Sequence, residues 1–437
     1  MHSLDLEITL ISILSLVVAS SYLSRISRIP AVFLLLAGSY SVYMLFPDMI
    51  PVDMKSHFDT LIVFCIPLIF MGDALHLKFH DIKRYGFDIF YLAVVSVAIS
   101  IAVGASLYNF DVFSGLTLGG YVALFAINMA TDAVSVQSVL SQFSGIQHKI
   151  KILIEGESLG NDATAVIAYF FIGIPWMLKG DMSFSYAVTA SVKVFLFSAL
   201  LGLLMGYLFH LAMKLLESKR NEFFTFVIEA YSAYVIAEHF HISGILTLIV
   251  AIVFTKLLID LDIEESEKSG KSDRRFSLEL RRMIYLKRAA TTRERMAYIY
   301  EMAKEFGYIA AVVIFFLLAE MVEPSKLLFY WKEILVMFVA TTAIRALSMA
   351  KFALLGAKIS AIKPVGAEGW FILTFSGMKG ALSIILVHML PHELPYKEMF
   401  EAVTIGTVIL SIFGYGTVLW VYFTFFSERD AHRRHGA

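Results

Sequence analysis

The chain has 437 residues, of which 58% are hydrophobic and only 17% charged, with a mean hydropathy of +0.74. That hydropathy excludes an ordinary soluble domain and predicts an all-α polytopic membrane protein. A formal net charge of −1 gives no overall attraction to nucleic acid, and the single Cys65 excludes an intrachain disulfide.

Mostly apolar windows of about 17–25 residues, the length a helix needs to cross a bilayer, follow one another at about 6–24, 30–46, 57–77, 86–108, 114–142, 150–175, 186–213, 222–239, 243–260, 305–322, 333–356, 367–390 and 399–426. They predict thirteen spans. Ile8 to Val18 in the first resembles a signal-peptide core, but Asp5 and Glu7 precede it with no Lys or Arg, so it reads as a retained span. Ile29-Pro30, Phe46-Pro47 and Leu390-Pro391 mark boundaries, and the windows at 114–142 and 333–356 are long enough to require tilt or a broken helix. The expected organisation is spans 1–9 in 1–260, a cytoplasmic segment in 261–304, spans 10–13 in 305–426 and a tail in 427–437. Within 261–304, DIEESEKSGKSDRR reads as a solvated linker, and Leu278 to Phe306 as an amphipathic helix lying on the membrane surface or on the protein.

Lys and Arg test the count, because cytoplasmic loops are enriched in them. Loops after spans 1, 3, 5, 7, 9 and 11, with the tail, hold 28 of the 36 basic residues: Arg25 and Arg28, then Lys78, Lys83 and Arg84, and so on through Lys351, Lys358 and Lys363 to Arg429, Arg433 and Arg434. The opposite loops hold only Lys55, Lys179, Lys326, Lys332 and Lys397. The alternation predicts an N-terminus outside and a C-terminus in the cytoplasm.

Nine ionisable residues remain inside spans: Asp73, Asp132, Glu155, Glu157, Asp162, Lys193, Glu229, Arg345 and Lys379. A charge at a helix centre costs about 2.5–3.5 kcal/mol even on the lenient insertion scale, so such residues face a cavity or a partner and mark an ion or substrate path. In the fifth span, Asn128-Met129-Ala130-Thr131-Asp132-Ala133 interrupts an apolar stretch. In the sixth, EGESLGND puts Glu155, Ser158 and Asp162 on one helical face and Glu157 with Asn161 on another, while Gly156 and Gly160 admit a close neighbour. Lys193 is placed to snorkel, and Glu229 fits a cavity lining or helix packing equally well. Arg345 lies deep in the eleventh window, and Phe375-Ser376-Gly377-Met378-Lys379-Gly380 interrupts the twelfth. The fifth and twelfth spans run in opposite directions; interrupted helices at matching positions of two inverted halves, crossing at mid-membrane, point to a secondary-transporter site. Buried bases among buried acids predict compensating pairs. His210, His239, His241 and His388 read as interfacial residues rather than pH sensors. The sequence has no nucleotide-binding Gly loop, zinc spacing or soluble catalytic domain, so neither an enzyme nor a cofactor is expected.

EGESLGND, TDAVSV, the membrane arginine of AIRAL and FSGMKGALS occur together in one chain. Together they resemble the sodium/proton antiporters of the monovalent cation:proton antiporter family, in the thirteen-span branch with Asn-Asp in its sixth span. The resemblance covers essentially the whole hydrophobic chain. It implies that Asp162 carries either the cation or a proton, with Asn161 as its neighbour, and that Asp162, Asp132, Ser158 and the Thr131 carbonyl hold the sodium ion. Glu157 and Arg345 correspond to an ion pair that braces the core, and Lys379, compensating charge in the interrupted span, stands where relatives commonly carry Arg. Glu155 and Asp73 are candidate vestibule acids. Two positions depart from the pattern: Ala133 replaces a frequent Pro, and Gly72-Asp73 reverses a frequent Glu-Gly. The resemblance also implies a homodimer in a prokaryotic cytoplasmic membrane, serving pH homeostasis, with a mobile core of spans 4–6 and 11–13 and the remaining spans as scaffold.

The chemistry expected is competition, since a proton and a sodium or lithium ion can vie for one buried carboxylate. Asn at 161, rather than a second Asp, favours electroneutral one-for-one exchange. Potassium/proton antiport is the nearest alternative, and a cation channel using the same oxygens is the alternative from another class.

Overall fold

Where no water can serve the backbone, each N–H and C=O must find its partner within the chain, and helices do this locally. The structure, a computed structural model, describes residues 3–27, 29–46, 57–76, 79–143, 146–179, 184–216, 218–269, 291–350, 365–390, 394 and 396–427, and every regular element among them is helical. Nine of the described helices are long and apolar enough to cross a membrane, and Ala31–Leu45 and Thr60–His76 are shorter apolar helices. Lys219–His239, and the pair Gly366–Phe375 and Ala381–His388, occupy the two remaining windows. Helix is therefore found at all thirteen predicted spans. The long fifth window is two helices, Leu118–Met129 and Ala133–Leu140.

The polar segment departs from expectation in part. Gly244–Ser269 continues as helix through DIEESEKS, where Glu and Lys are good helix formers. Arg293–Met321 joins the end of the amphipathic stretch to the tenth span in one helix. Residues 270–290 lie outside the described residues, as do Arg28, Lys55, Lys78, Lys351, Lys358, Lys363, Arg429, Arg433 and Arg434.

The chain divides into two compact units, one of Met1–Ile62, Tyr85–Ala187 and Ala311–Ala437, the other of Val63–Arg84 and Val188–Ala310. In the first, Leu118–Met129 is the central element, buried at every residue from Gly119 to Met129. Thr117 caps its start by accepting from Gly120 N–H at 3.2 Å. The sixth span, His148–Ala168, packs beside the fourth through its glycines: a Cβ at Gly160 would stand 2.5 Å from the Ala93 Cβ, and one at Gly156 2.8 Å from the Ile89 side chain. Leu153, Ile372, Leu373, Met378 and Leu419 share one buried apolar cluster there.

In the second unit, the starts of Lys219–His239 and Arg293–Met321 are tied by buried Glu222, which accepts from Thr291 Oγ1 at 2.6 Å and from Arg295 Nη1 at 2.8 Å. Asp262 lies 3.3 Å from His210 Nε2 and 3.0 Å from Lys214 Nζ. Lys193 is exposed, Asp73 is half-buried and Glu229 is fully buried.

The Gly160 contact gives a direct test of helix spacing. Gly160→Ala overpacks against Ala93 and costs about 1–3 kcal/mol, read as a lower Tm in detergent. Adding Ala93→Gly restores most of the loss; if the double variant is no more stable than the single, the two helices do not meet there.

Candidate ion-binding site

The site is built on the two interruptions. After Met129 the backbone extends through Ala130 (φ −59°, ψ 134°) and Asp132 (φ −111°, ψ 107°) before helix resumes. Extension exposes N–H groups that a continuous helix would satisfy, and those of Asp132, Ala133, Val134 and Ser135 have partners. Asp132 N–H donates to the Met378 carbonyl at 2.8 Å, and Ala133 N–H donates to Ser158 Oγ at 3.1 Å. Val134 N–H (3.0 Å) and Ser135 N–H (3.3 Å) donate to the two Asp132 carboxylate oxygens, an N-cap reinforced by the Ser135 hydroxyl. Ala133 needs no proline to hold the break open: Ser158 takes the very N–H that proline lacks.

Ser158 also donates to the Thr131 carbonyl at 2.6 Å, so one hydroxyl bridges both sides of the interruption. Asn161 Nδ2 donates to Thr131 Oγ1 at 2.7 Å. Asn161 thus turns toward the fifth-span break rather than toward Arg345, and its Oδ1 is buried with no hydrogen-bond partner among the described residues. Asp162 is buried next to it, one turn beyond Ser158, at 7% exposure.

The second interruption crosses the first at close quarters. A Cβ on Gly380 would fall 2.3 Å from Asp132 Cβ, so only glycine permits this crossing. Ser383 Oγ donates to the Ile127 carbonyl at 2.9 Å, serving the open C-terminal end of Leu118–Met129. Lys379 N–H donates to Ser411 Oγ at 2.8 Å. The Lys379 side chain is 3% exposed and lies within electrostatic reach of Arg345, Glu157 and Asp162. Helix ends carry partial charges, positive at N-termini and negative at C-termini. Asp132 therefore sits at a favourable N-terminus, and Lys379 follows the C-terminus of Gly366–Phe375.

Glu157 and Arg345 form the predicted pair in bidentate form, Nη1 to Oε1 at 2.5 Å and Nη2 to Oε2 at 2.9 Å. Arg345 Nε also donates to the Leu373 and Thr374 carbonyls, both at 3.0 Å. Those carbonyls belong to the last turn before the twelfth-span break, where helical partners run out. A Cβ on Gly377 would meet Arg345 Nε at 2.5 Å, so this glycine makes room for the guanidinium.

Thr131, Asp132, Ser158 and Asn161 are thus interlinked, with Asp162 beside them on the sixth-span helix. Glu155 is not part of this group: it accepts from Gln137 Nε2 at 3.1 Å in the second half of the fifth span. Asp73 belongs to the other unit. Sequence reasoning missed Ser135, Ser376, Ser383 and Ser411. Their signal was weak but present, because Ser135, Ser376 and Ser383 each lie within four residues of an interruption, where small hydroxyls replace lost backbone bonds.

Residues 11–424 match the profile of the family described as "Sodium/hydrogen exchanger, transmembrane". The Na(+)/H(+) antiporter NhaH of Halobacillus aidingensis is 25% identical over 368 residues, covering 82% of this chain and 81% of that protein. The Na(+)/H(+) antiporter ApNhaP of Aphanothece halophytica is 25% identical over 362 residues, 82% of this chain and 62% of its own length. The structure of the sodium proton antiporter MjNhaP1 from Methanocaldococcus jannaschii at pH 8 is similar in fold, with a TM-score of 0.67 at 16% identity, over 95% of this chain and 100% of that one.

Breaking a buried ion pair by removing one partner costs about 3–5 kcal/mol. Glu157→Gln is expected to lower Tm accordingly, and Glu157→Gln with Arg345→Met recovers only part of it, because the carbonyl caps on Leu373 and Thr374 stay lost. Full recovery by the double variant in thermal unfolding would show that the caps contribute nothing.

Proposed function

The chain belongs to the sodium/hydrogen exchanger family, and on that footing we propose that it is a secondary active sodium/proton antiporter exchanging one Na+ or Li+ for one H+ across the membrane. Asp162 carries either ion. Ser158, Asp132 and the Thr131 carbonyl complete an oxygen site suited to a hard monovalent cation, and Asn161 fixes Thr131 without adding a charge.

The charge count at the crossing carries this reading. Glu157 and Arg345 cancel each other in a two-bond pair. Asp132, Asp162 and Lys379 add two acids and one base, with Asp132 and Lys379 each at the helix end that favours its sign. The cluster as a whole is left with one net negative charge, which one monovalent cation or one proton neutralises. An uncompensated buried charge is costly, so the loaded forms are the ones able to change sides, and net exchange follows from whichever gradient is larger. The reading extends to a homodimer in a cell membrane with its N-terminus outside, whose first-unit site moves as one body.

In proteoliposomes, sodium addition is expected to drive proton flux that is unaffected by clamping the membrane potential, and Asp162→Asn to abolish it. Flux that generates a potential, or that persists in Asp162→Asn, counts against the proposal. Potassium driving flux better than sodium would support the potassium/proton alternative, and ionic currents far above transporter rates would indicate a channel. Ser158→Ala removes a bridge worth about 0.5–1.5 kcal/mol per hydrogen bond, and should raise the half-saturating sodium concentration about tenfold, the equivalent of roughly 1.4 kcal/mol.

A further inference from the structure

Away from the crossing, one acid is buried without a base among the described residues. Glu229 lies within Lys219–His239 in the second unit and is 0% exposed. Its Oε1 meets the Thr255 hydroxyl of Gly244–Ser269, and that hydroxyl is also 3.0 Å from the Gly206 carbonyl of Phe184–Met213. The outer two of these helices nearly touch at Gly206, where a Cβ would stand 2.7 Å from the Ala251 carbonyl. A single hydroxyl thereby joins three helices.

Counting hydrogens decides how it can do so. A threonine hydroxyl has one proton to donate and two lone pairs. One proton cannot serve both oxygens, and a carboxyl group can carry a proton whereas the Gly206 carbonyl cannot, so both contacts are hydrogen bonds only with the Thr255 proton directed to Gly206. Glu229 Oε1 then faces a lone pair of Thr255, and an ionised carboxylate would set acceptor against acceptor. We propose that Glu229 holds a resident proton, giving a directed chain in which the Glu229 acid O–H donates to Thr255 Oγ1 and the Thr255 O–H donates to the Gly206 carbonyl. This is a proton-binding site distinct from Asp162, and its proton ties spans 7, 8 and 9 together instead of being transported.

Two further observations agree. Glu229 Oε2 is buried with no hydrogen-bond partner among the described residues; as the carbonyl oxygen of a neutral acid it costs far less than as half of an unpaired carboxylate. Four charged groups on the surrounding helices are engaged elsewhere. His210 and Lys214 lie against Asp262, Lys256 donates to the Leu75 carbonyl, and Glu222 is held by Arg295. The two Thr255 contacts call for the proton whether or not the chain exchanges sodium, so this inference stands apart from the antiport reading.

Infrared difference spectroscopy on the purified full-length protein tests it. Wild type minus Glu229→Gln should show the carbonyl stretch of a protonated carboxyl group, unchanged by added sodium. Glu229→Gln keeps an N–H donor for Thr255 and should keep the wild-type Tm, whereas Thr255→Val, which removes the acceptor at constant shape, should shift the band and lower Tm. A carboxylate band in place of the acid band overturns the proposal. So does a Glu229→Gln variant that loses Tm or fails to fold, which would mean that a donated proton is not what Glu229 contributes, or a sodium-dependent Tm that Glu229→Gln abolishes, which would mean an ionised Glu229 holding a cation.

Discussion

Interrupting a helix away from water creates orphaned backbone groups, each costly if left unpaired. Everything at the centre of the first unit follows from meeting that requirement twice in one place. Asp132 in the extended part of the fifth span donates its N–H to Met378 of the twelfth; Ser158 closes the fifth-span gap from the sixth; Arg345 covers carbonyls that the twelfth span leaves open. The polar residues of this core therefore have a double obligation. They complete the backbone, and in doing so they gather oxygens around an extended strand of chain, which is what a dehydrated cation requires.

The same economy governs charge. Glu157 would be intolerable without Arg345, and Arg345 without both Glu157 and the helix end it caps. The Gly377 and Gly380 contacts show how little space is involved, since one methyl group at either position would displace a guanidinium or a carboxylate-bearing side chain. Charge is made affordable by proximity, and proximity depends on residues that have no side chain.

Much of this was legible in the sequence, for physical reasons. Ionisable residues in apolar windows stand out because lipid penalises them, so Asp132, Glu157, Asp162, Arg345 and Lys379 were all visible; charge balance called for compensating pairs, and the choice of Glu157 with Arg345 came from the family resemblance. Both interruptions were visible as polar runs. Partners set by three-dimensional crossing were not: periodicity grouped Asn161 with Glu157, yet the hydrogen bond to Thr131 depends on where the fifth span breaks. The serines at the breaks were hidden because a small hydroxyl in a membrane helix ordinarily bonds its own preceding turn and carries no signal. The helical continuation to Ser269 was concealed by charge, which marks solvent exposure without excluding helix.

Arg345 fastens the sixth span to the eleventh through Glu157 and the eleventh to the twelfth through two carbonyls, while Ser158 fastens the sixth to the fifth. Three such ties, converging from different directions, behave like rivets in a plate. Whatever displacement this protein undergoes, flexure must occur beyond the riveted area, in connecting segments or along the unit's outer helices, and the plate at the crossing travels without bending.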